Sequence, residues 1–527
     1  MSLTLVTNSM IRSAPVNVFD YLTEAQRTTV LAYSFATDVT AACQSALNDA
    51  RANNLNCYFP AGGYLVTGLT IPGDVNPPVD DRDSGIRIYG QSTGEGFVHT
   101  NTGGTVIKSV TNAPVLTDIL GTVSSSNGTI EIDHIEFDGT SNGFPVIKLQ
   151  SFYGVSSSFH HNSIYQRGDG DGFVTGWGAG FDVHNNWCMN SDWNSYSLGA
   201  ARTGIGFSYV PTADNGLVTF TKNSSRGWLT AYNIAGGAGV AFSACIDKCE
   251  SAVSYNGIIL QSNAEKCIVS DCYFEGGDGG IGINNLGDYN TIRDNLMFAG
   301  YAVGIQDLST SNIGTLIEGN VIGLAANANS KGISVQSSAA FGGYNKNIVN
   351  NSIAFTDGTA GVKGIQLTGD DPRVTILGNA FDPRGAWTGA ATVKIDDQSA
   401  NSGPFGIITQ ENGAYEIPVL AGGALSLFSS AAALTETDVA ATILTIPNGS
   451  YFPVTATSAT TVNRFSAGNL AGRVVVFRTT NANMTFADTS YNQLAGGVSF
   501  TGPGTITFYI DKIASDNYAY EIARTVF

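Results

Sequence analysis

The chain has 527 residues, of which 63 are glycine and only 13 % are charged, and its formal charge is −18. That acidity argues against nucleic acid and anionic membrane as partners, because both require a basic surface. No run of eighteen apolar residues marks a membrane span, and the opening MSLTLVTNSM shows no basic region followed by an apolar stretch.

The first region, residues 1–75, contains the segment TDVTAACQSALNDARANN. Its spacing predicts a short amphipathic helix capped by Thr37 or Asp38, with Val39, Cys43, Ala46, Leu47 and Ala50 on one face. A strand pair with a Pro-Ala-Gly-Gly turn is expected in CYFPAGGYLVTGLTI.

The second region runs from residue 76 to about 410, and between residues 130 and 382 one phrase recurs in it: apolar, any, any, then Asn, Cys or Asp, any, apolar. The key residues are Asp133, Asn162, Asn186, Cys272, Asn295, Asn320, Asn351 and Asn379, with weaker copies at Asn223 and Cys249. Successive steps are 29, 24, 37, 26, 23, 23, 25, 31 and 28 residues. Such a period, with β-type units and variable insertions, predicts a solenoid whose coils stack on one core. The helix of the first region is the natural cover for the solenoid's open end, since an uncovered coil edge would offer unpaired backbone groups to other chains. The apolar positions are separated by an odd number of residues, so a straight strand would send them to opposite faces. The chain must bend at the key position, where Asn tolerates left-handed backbone and its amide pairs along a stack. The expected fold is therefore all-β, a parallel β-helix. Its longest step holds SDWNSYSLGAARTGIGFSYVPTADNG, an excursion of the kind that builds binding surfaces.

Residues 411–527 abandon the repeat for short alternating strands such as RVVVFRTT, MTFAD and TITFYI, which predict a separate sandwich-like β domain. Seven cysteines, Cys43, Cys57, Cys188, Cys245, Cys249, Cys267 and Cys272, are odd in number and lack metal-type spacing. They read as reduced, buried thiols of a chain assembled in a cytoplasm, with Cys249 and Cys272 stacked one coil apart.

The segment 16–71 resembles the opening of the pectate-lyase-like superfamily as found in bacteriophage tailspikes. The residues carrying the resemblance are the Val-x-Val-x-Asp strand at Val16–Asp20, the Asp-x-Thr-x-Ala helix start at Asp38–Ala42, and the Phe-Pro-x-Gly-x-Tyr pattern at Phe59–Tyr64. About sixty residues match closely; the later coils agree in architecture. The resemblance implies a right-handed β-helical homotrimer on a phage tail or baseplate, part of the virion, that binds and usually cleaves a bacterial surface polysaccharide. It also implies that the terminal domain holds the trimer together or adds a carbohydrate-binding surface.

Hydrolysis of a glycosidic bond needs two carboxyl groups. Glu250 is first after Cys249 and Glu275 third after Cys272, so both should face outward on adjacent coils of one sheet. Two residues along a strand and one coil across give a Cα diagonal of about 8 Å, within the range of inverting hydrolases. Asp278 and Asp247 would complete an acidic groove. Trp228, Tyr255 and Tyr273 flank these coils as stacking surfaces, and Arg226 could pair with an acidic sugar. Outward carboxylates on an acidic solenoid are more often plain solvated surface, and half of such aromatics are core. Competing acids are Asp169 and Asp171, Asp192 and Asp214, and Asp370 with Asp371. Trp177, Trp187, Trp193 and Tyr232 are further aromatics of this stretch. No metal or other cofactor is expected, since the acidic spacings fit no calcium loop. The leading expectation is an endo-glycosidase acting on a capsular polysaccharide or O-antigen; β-elimination on the same fold and a binding-only receptor spike are the alternatives.

Overall fold

A computed structural model describes residues 14–73, 85–93, 103–118, 129–140, 143–150, 157–176, 180–190, 203–211, 215–235, 241–276, 279–298, 300–309, 314–324, 329–337, 346–355, 361–369, 374–381, 393–397, 406–411, 414–416, 419–420, 423–424, 434–435, 437, 439–440, 442–446, 451–466, 473–513 and 516–526. They form two compact units that divide near residue 325.

The first unit begins with two helices, α1 (Glu24–Leu31) and α2 (Thr40–Ala52). Helix α1 was not anticipated, although Thr23-Glu-Ala-Gln26 forms a capping box in which Thr23 and Gln26 each satisfy the other's backbone N–H. Helix α2 buries Cys43, Ala46, Leu47 and Ala50 as expected, and it packs on the opening strands Val16–Asn17, Cys57–Phe59 and Leu69–Ile71. Its N-cap is Val39 rather than Thr37 or Asp38. Asp38 instead accepts from the Thr40 N–H at 2.8 Å and from the Thr40 hydroxyl, in a turn just ahead of the helix.

The expected strand pair is not a hairpin. Cys57–Phe59 pairs with Ile86–Gly90, Gly62–Val66 with Thr105–Ser109, and Leu69–Ile71 with Leu116–Asp118, all in parallel. Each segment belongs to a different face of one coil and meets its equivalent in the next. Strands Cys245–Asp247, Glu250–Ser254 and Asn256–Leu260 lie on the first, second and third sheets of one coil. The next coil supplies Ile268–Ser270, Tyr273–Gly276 and Ile281–Asn285 in parallel register. Ile246, Val269 and Ile292 stack inside on the first sheet, Phe274 and Met297 on the second, and Ile258, Ile283 and Ile305 on the third. These are the apolar positions of the repeat, so the solenoid is a parallel β-helix.

The bend lies one residue before the key position. His134, His161, Asn185, Lys222, Lys248, Asp271 and Asp294 have φ between 53° and 59°. Where Asn follows the bend, it turns inward and forms a ladder. The Asn186 amide donates to the Phe159 carbonyl at 2.8 Å and to Asn223 Oδ1 at 2.9 Å; Asn295 donates to Val269 O and Asn320 Oδ1. Those side-chain bonds offset a left-handed backbone that costs about 1–2 kcal/mol for an L residue. The structure also shifts the first copy. His160 pairs with Asp133 and Ser163 with Glu136, so the ladder equivalent of Asn162 is Ile135 and not Asp133. Asp133 lies on the outer side of its strand but is buried there, its carboxylate held by Arg87 and His134. Cys249 and Cys272 occupy ladder positions as expected, their thiols donating to Phe220 O and Ile246 O. All seven thiols are free, and six are buried.

In the second unit, strands Lys331–Ser337, Lys363–Gly369 and Val393–Asp397 pair in parallel. The Asn351 amide donates to Asn379 Oδ1 at 2.9 Å. Beyond them Arg473–Thr479, Gly504–Ile513 and Asp516–Val526 form an antiparallel sheet over a core containing Phe452, Phe465, Phe477, Phe486 and Phe508. The terminal sheet domain is thus present. Among the described residues no helix is long and apolar enough to cross a membrane.

Candidate functional site

Two positions after each ladder residue point inward, which leaves the first and third outside. On the second sheet this alternation lines up two outer columns. One runs Trp187, Ser224, Glu250, Tyr273, Leu296; the other runs Met189, Arg226, Ala252, Glu275, Phe298. Within them Met189, Ser224 and Ala252 are buried, and Tyr273, Glu275 and Phe298 are exposed. Glu250 therefore sits opposite Tyr273 and one coil before Glu275, two residues off along the strand, which is the diagonal expected from the repeat.

The two carboxyl groups have different surroundings. Glu250 is half-buried, ion-paired to Arg226 at 2.5 Å and hydrogen-bonded by the Ser224 hydroxyl at 2.7 Å. Arg226 also lies over the Trp187 ring, 5.2 Å from its centroid. Glu275 is exposed, flanked by Tyr273 and Phe298, whose rings are 6.0 Å apart and both exposed. Burial, then the charges of Glu275 and Glu250, raise the Tyr273 hydroxyl. The strip thus offers two aromatic faces, a half-buried Arg–Glu pair and an exposed carboxyl at one outer surface.

Other expected members fall elsewhere. Trp228 is fully buried, and its indole N–H donates to Cys188 O at 3.1 Å; it fills the coil interior and cannot stack on a sugar. Tyr232 is buried as well. Tyr255 is half-buried at the corner between the second and third sheets, not on the outer strip. Asp247 faces outward from the first sheet, across the left-handed bend from Glu250. Burial raises its carboxyl, but hydrogen bonds from Lys248 and Ser270 outweigh that and hold it below the usual range. Asp278 lies outside the described residues, as do Asp192, Asp214, Asp370, Asp371, Trp177 and Trp193. Asp169 is exposed. Asp171 accepts the Ile205 N–H at 2.8 Å, and burial raises its carboxyl.

A second cluster was not foreseen. On the outer face of the first sheet, register sets His160 between Asp133 and His184, and Ser158 between Glu131 and Asp182. His160 and His184 stack at 4.7 Å, and His134 and His161, both at the left-handed bend, stack at 5.3 Å. Arg87 from the preceding coil grips both oxygens of Asp133 at 2.8 Å, and His134 Nδ1 lies 2.6 Å from the same carboxylate. Burial raises the Asp133 carboxyl, but those hydrogen bonds keep it below its ordinary value. Burial first, and neighbouring histidines second, lower His161; burial likewise lowers His184. Four of the five histidines in the chain gather here. The sequence signal was present, since Asp-His-Ile, His-His-Asn and His-Asn-Asn occupy equivalent positions in three successive coils.

No family model matches the chain, and no curated protein matches it. Solved structures that superpose on it include a mannuronan C-5 epimerase A-module of Azotobacter vinelandii, 15 % identical, covering 75 % of this chain and 98 % of that one, with a TM-score of 0.49. A tailspike of Pseudomonas phage phi297 is 10 % identical, covers 97 % of this chain and 96 % of that one, and has a TM-score of 0.41. A DFA-IIIase from Arthrobacter chlorophenolicus is 10 % identical, with 72 % and 93 % covered and a TM-score of 0.41. Likenesses this distant assign neither family nor function.

Proposed function

We propose that the chain is a phage tailspike depolymerase, an endo-glycosidase that hydrolyses a bacterial capsular polysaccharide or O-antigen along the outer strip of the second sheet. The observation that carries this reading is the placement of Glu250, Tyr273, Glu275, Phe298 and Arg226 on one solvent-facing surface. Pyranose faces stack on Tyr273 and Phe298, and Arg226 with Glu250 supplies polar contacts. Glu275, free among the described residues, transfers the proton, and Glu250 is the partner carboxylate. The resemblance of residues 16–71 to tailspike openings supports the assignment to a phage particle, with three copies assembled side by side.

A binding-only receptor spike is the second reading, favoured by one observation: Arg226 already engages Glu250, which ties up one of the two carboxyls proposed for hydrolysis. A panel of purified capsules and O-antigens separates the two. Release of reducing ends supports hydrolysis; ultraviolet-absorbing unsaturated ends would mean β-elimination. Retention of glycan without product would mean binding alone. Glu275→Gln should lower turnover about 10²–10⁴-fold while glycan binding persists, and full activity in that variant removes this site. Sedimentation should give three times the 55.0 kDa chain mass; a stable monomer at micromolar concentration counts against the spike.

A further inference from the structure

The cluster on the outer face of the first sheet contains three groups of metal-ligating type from two successive coils. Glu131 and Asp133 come from strand Ile130–Asp133, and His160 comes from Ser158–His160. Their potential ligand atoms lie within 4.8 Å of one another. His160 Nε2 is 3.2 Å from Glu131 Oε1, about the separation of two ligands that share one ion at about 2.0–2.2 Å. The other ring nitrogen of His160 lies 2.9 Å from His161 Nδ1, a contact that orients the ring as outer partners of metal-bound histidines do. His184 stacks on the His160 ring and limits its rotation further.

We infer that Glu131, Asp133 and His160 form a site for a divalent transition metal of the zinc type, which clamps these two coils together and leaves a coordination position open to solvent. One imidazole with two carboxylates suits such an ion better than calcium or magnesium, which prefer oxygen-only sets. The site is independent of the glycan surface proposed above, because it lies on another sheet and shares no residue with it.

Arg87 makes the inference stringent. Its guanidinium holds both Asp133 oxygens and stands 3.4 Å from Glu131. A metal ion must take at least one of those oxygens from it and bear its charge nearby, so Arg87 competes with the ion. The arginine side chain is 39 % exposed and has room to swing outward.

The test is titration of the purified chain with zinc chloride at pH 7.5, read by calorimetry and by the rate of unfolding. Zinc should bind once per chain and slow unfolding, because only the folded site holds it; magnesium and calcium should do neither. His160→Gln and Glu131→Gln, which remove direct ligands, should each weaken binding by at least the ~10- to 100-fold lost when an outer partner is removed, whereas Arg87→Ala should tighten it. Cys245→Ser, which alters the one half-exposed thiol, should leave binding unchanged. Wild-type affinity in His160→Gln overturns the site, as does loss of binding in Cys245→Ser or in Arg87→Ala. Absence of zinc binding to the wild-type chain overturns it for the native protein, even if Arg87→Ala binds.

Discussion

Asn295 tests the account of the interior ladder most directly. Its side chain is buried and makes three bonds: its amide donates to Val269 O at 3.1 Å and Asn320 Oδ1 at 2.9 Å, and its Oδ1 accepts the Cys272 N–H at 3.0 Å. Asn295→Ala strands the buried Cys272 N–H and removes a donor from two oxygens. Asn320 Oδ1 keeps the backbone N–H of residue 295, so the damage centres on one orphaned donor. An orphaned buried group costs about 1–3 kcal/mol and each lost bond about 1 kcal/mol net, which gives about 2–4 kcal/mol for the variant. If the ladder closes late in folding, that loss falls on the unfolding limb and raises the rate about 30- to 900-fold. Unfolding in guanidinium, followed by fluorescence, is the appropriate assay, since a large β-helical chain is expected to unfold irreversibly. Asn295→Cys sharpens the test. Cys249 and Cys272 already serve as rungs, each donating to the carbonyl one coil back, so a thiol at 295 should restore part of the bond to Val269 O. The cysteine variant should unfold more slowly than the alanine variant. Wild-type kinetics in Asn295→Ala, or no difference between the two variants, would refute the ladder's energetic role.

The other expectations separate core from surface. Trp228→Ala should cost about 3–5 kcal/mol of stability, because the indole is fully buried. Tyr273→Ala should leave unfolding nearly unchanged and weaken glycan retention on a capsule affinity column; the reverse pattern would mean that the outer strip is misassigned. Acidification should speed unfolding as pH falls below about 6.5. His161 and His184 are held below their ordinary values in the fold, so the unfolded chain binds protons first and the stability present above that pH is lost on the way down. A double variant, His161→Gln with His184→Gln, should flatten the dependence between pH 7 and 5.5, and an unaltered slope would place the acid sensitivity elsewhere. Asp133 and Asp247, also held low, should contribute a further loss only in the carboxylate range.

Which parts were legible in the chain depends on what a repeat encodes. Stacking requires each coil to put an apolar residue at the same interior position, so Ile246, Val269 and Ile292 announce themselves by recurrence, and so does the Asn that bonds to its counterpart one coil away. Outer positions are free of that requirement. Glu250 and Glu275 could be put on one face because the alternation either side of a ladder residue is rigid, and the observed register agrees. Trp228 could not be placed, since it precedes the corner between sheets, where no alternation counts residues as inward or outward; its size let the coil use it as filling. The first copy slipped because Asp133 satisfies the pattern in type but not in register, and only pairing with His160 shows that Ile135 is the rung. The histidine cluster was overlooked for a related reason. Each is unremarkable within its own coil, and they become neighbours only when steps of 27 and 24 residues between His134, His161 and Asn185 are folded into adjacent turns. In a solenoid, interior chemistry is therefore written along the chain as periodicity, whereas exterior chemistry is written across it, as columns that become readable once the register of every coil is known.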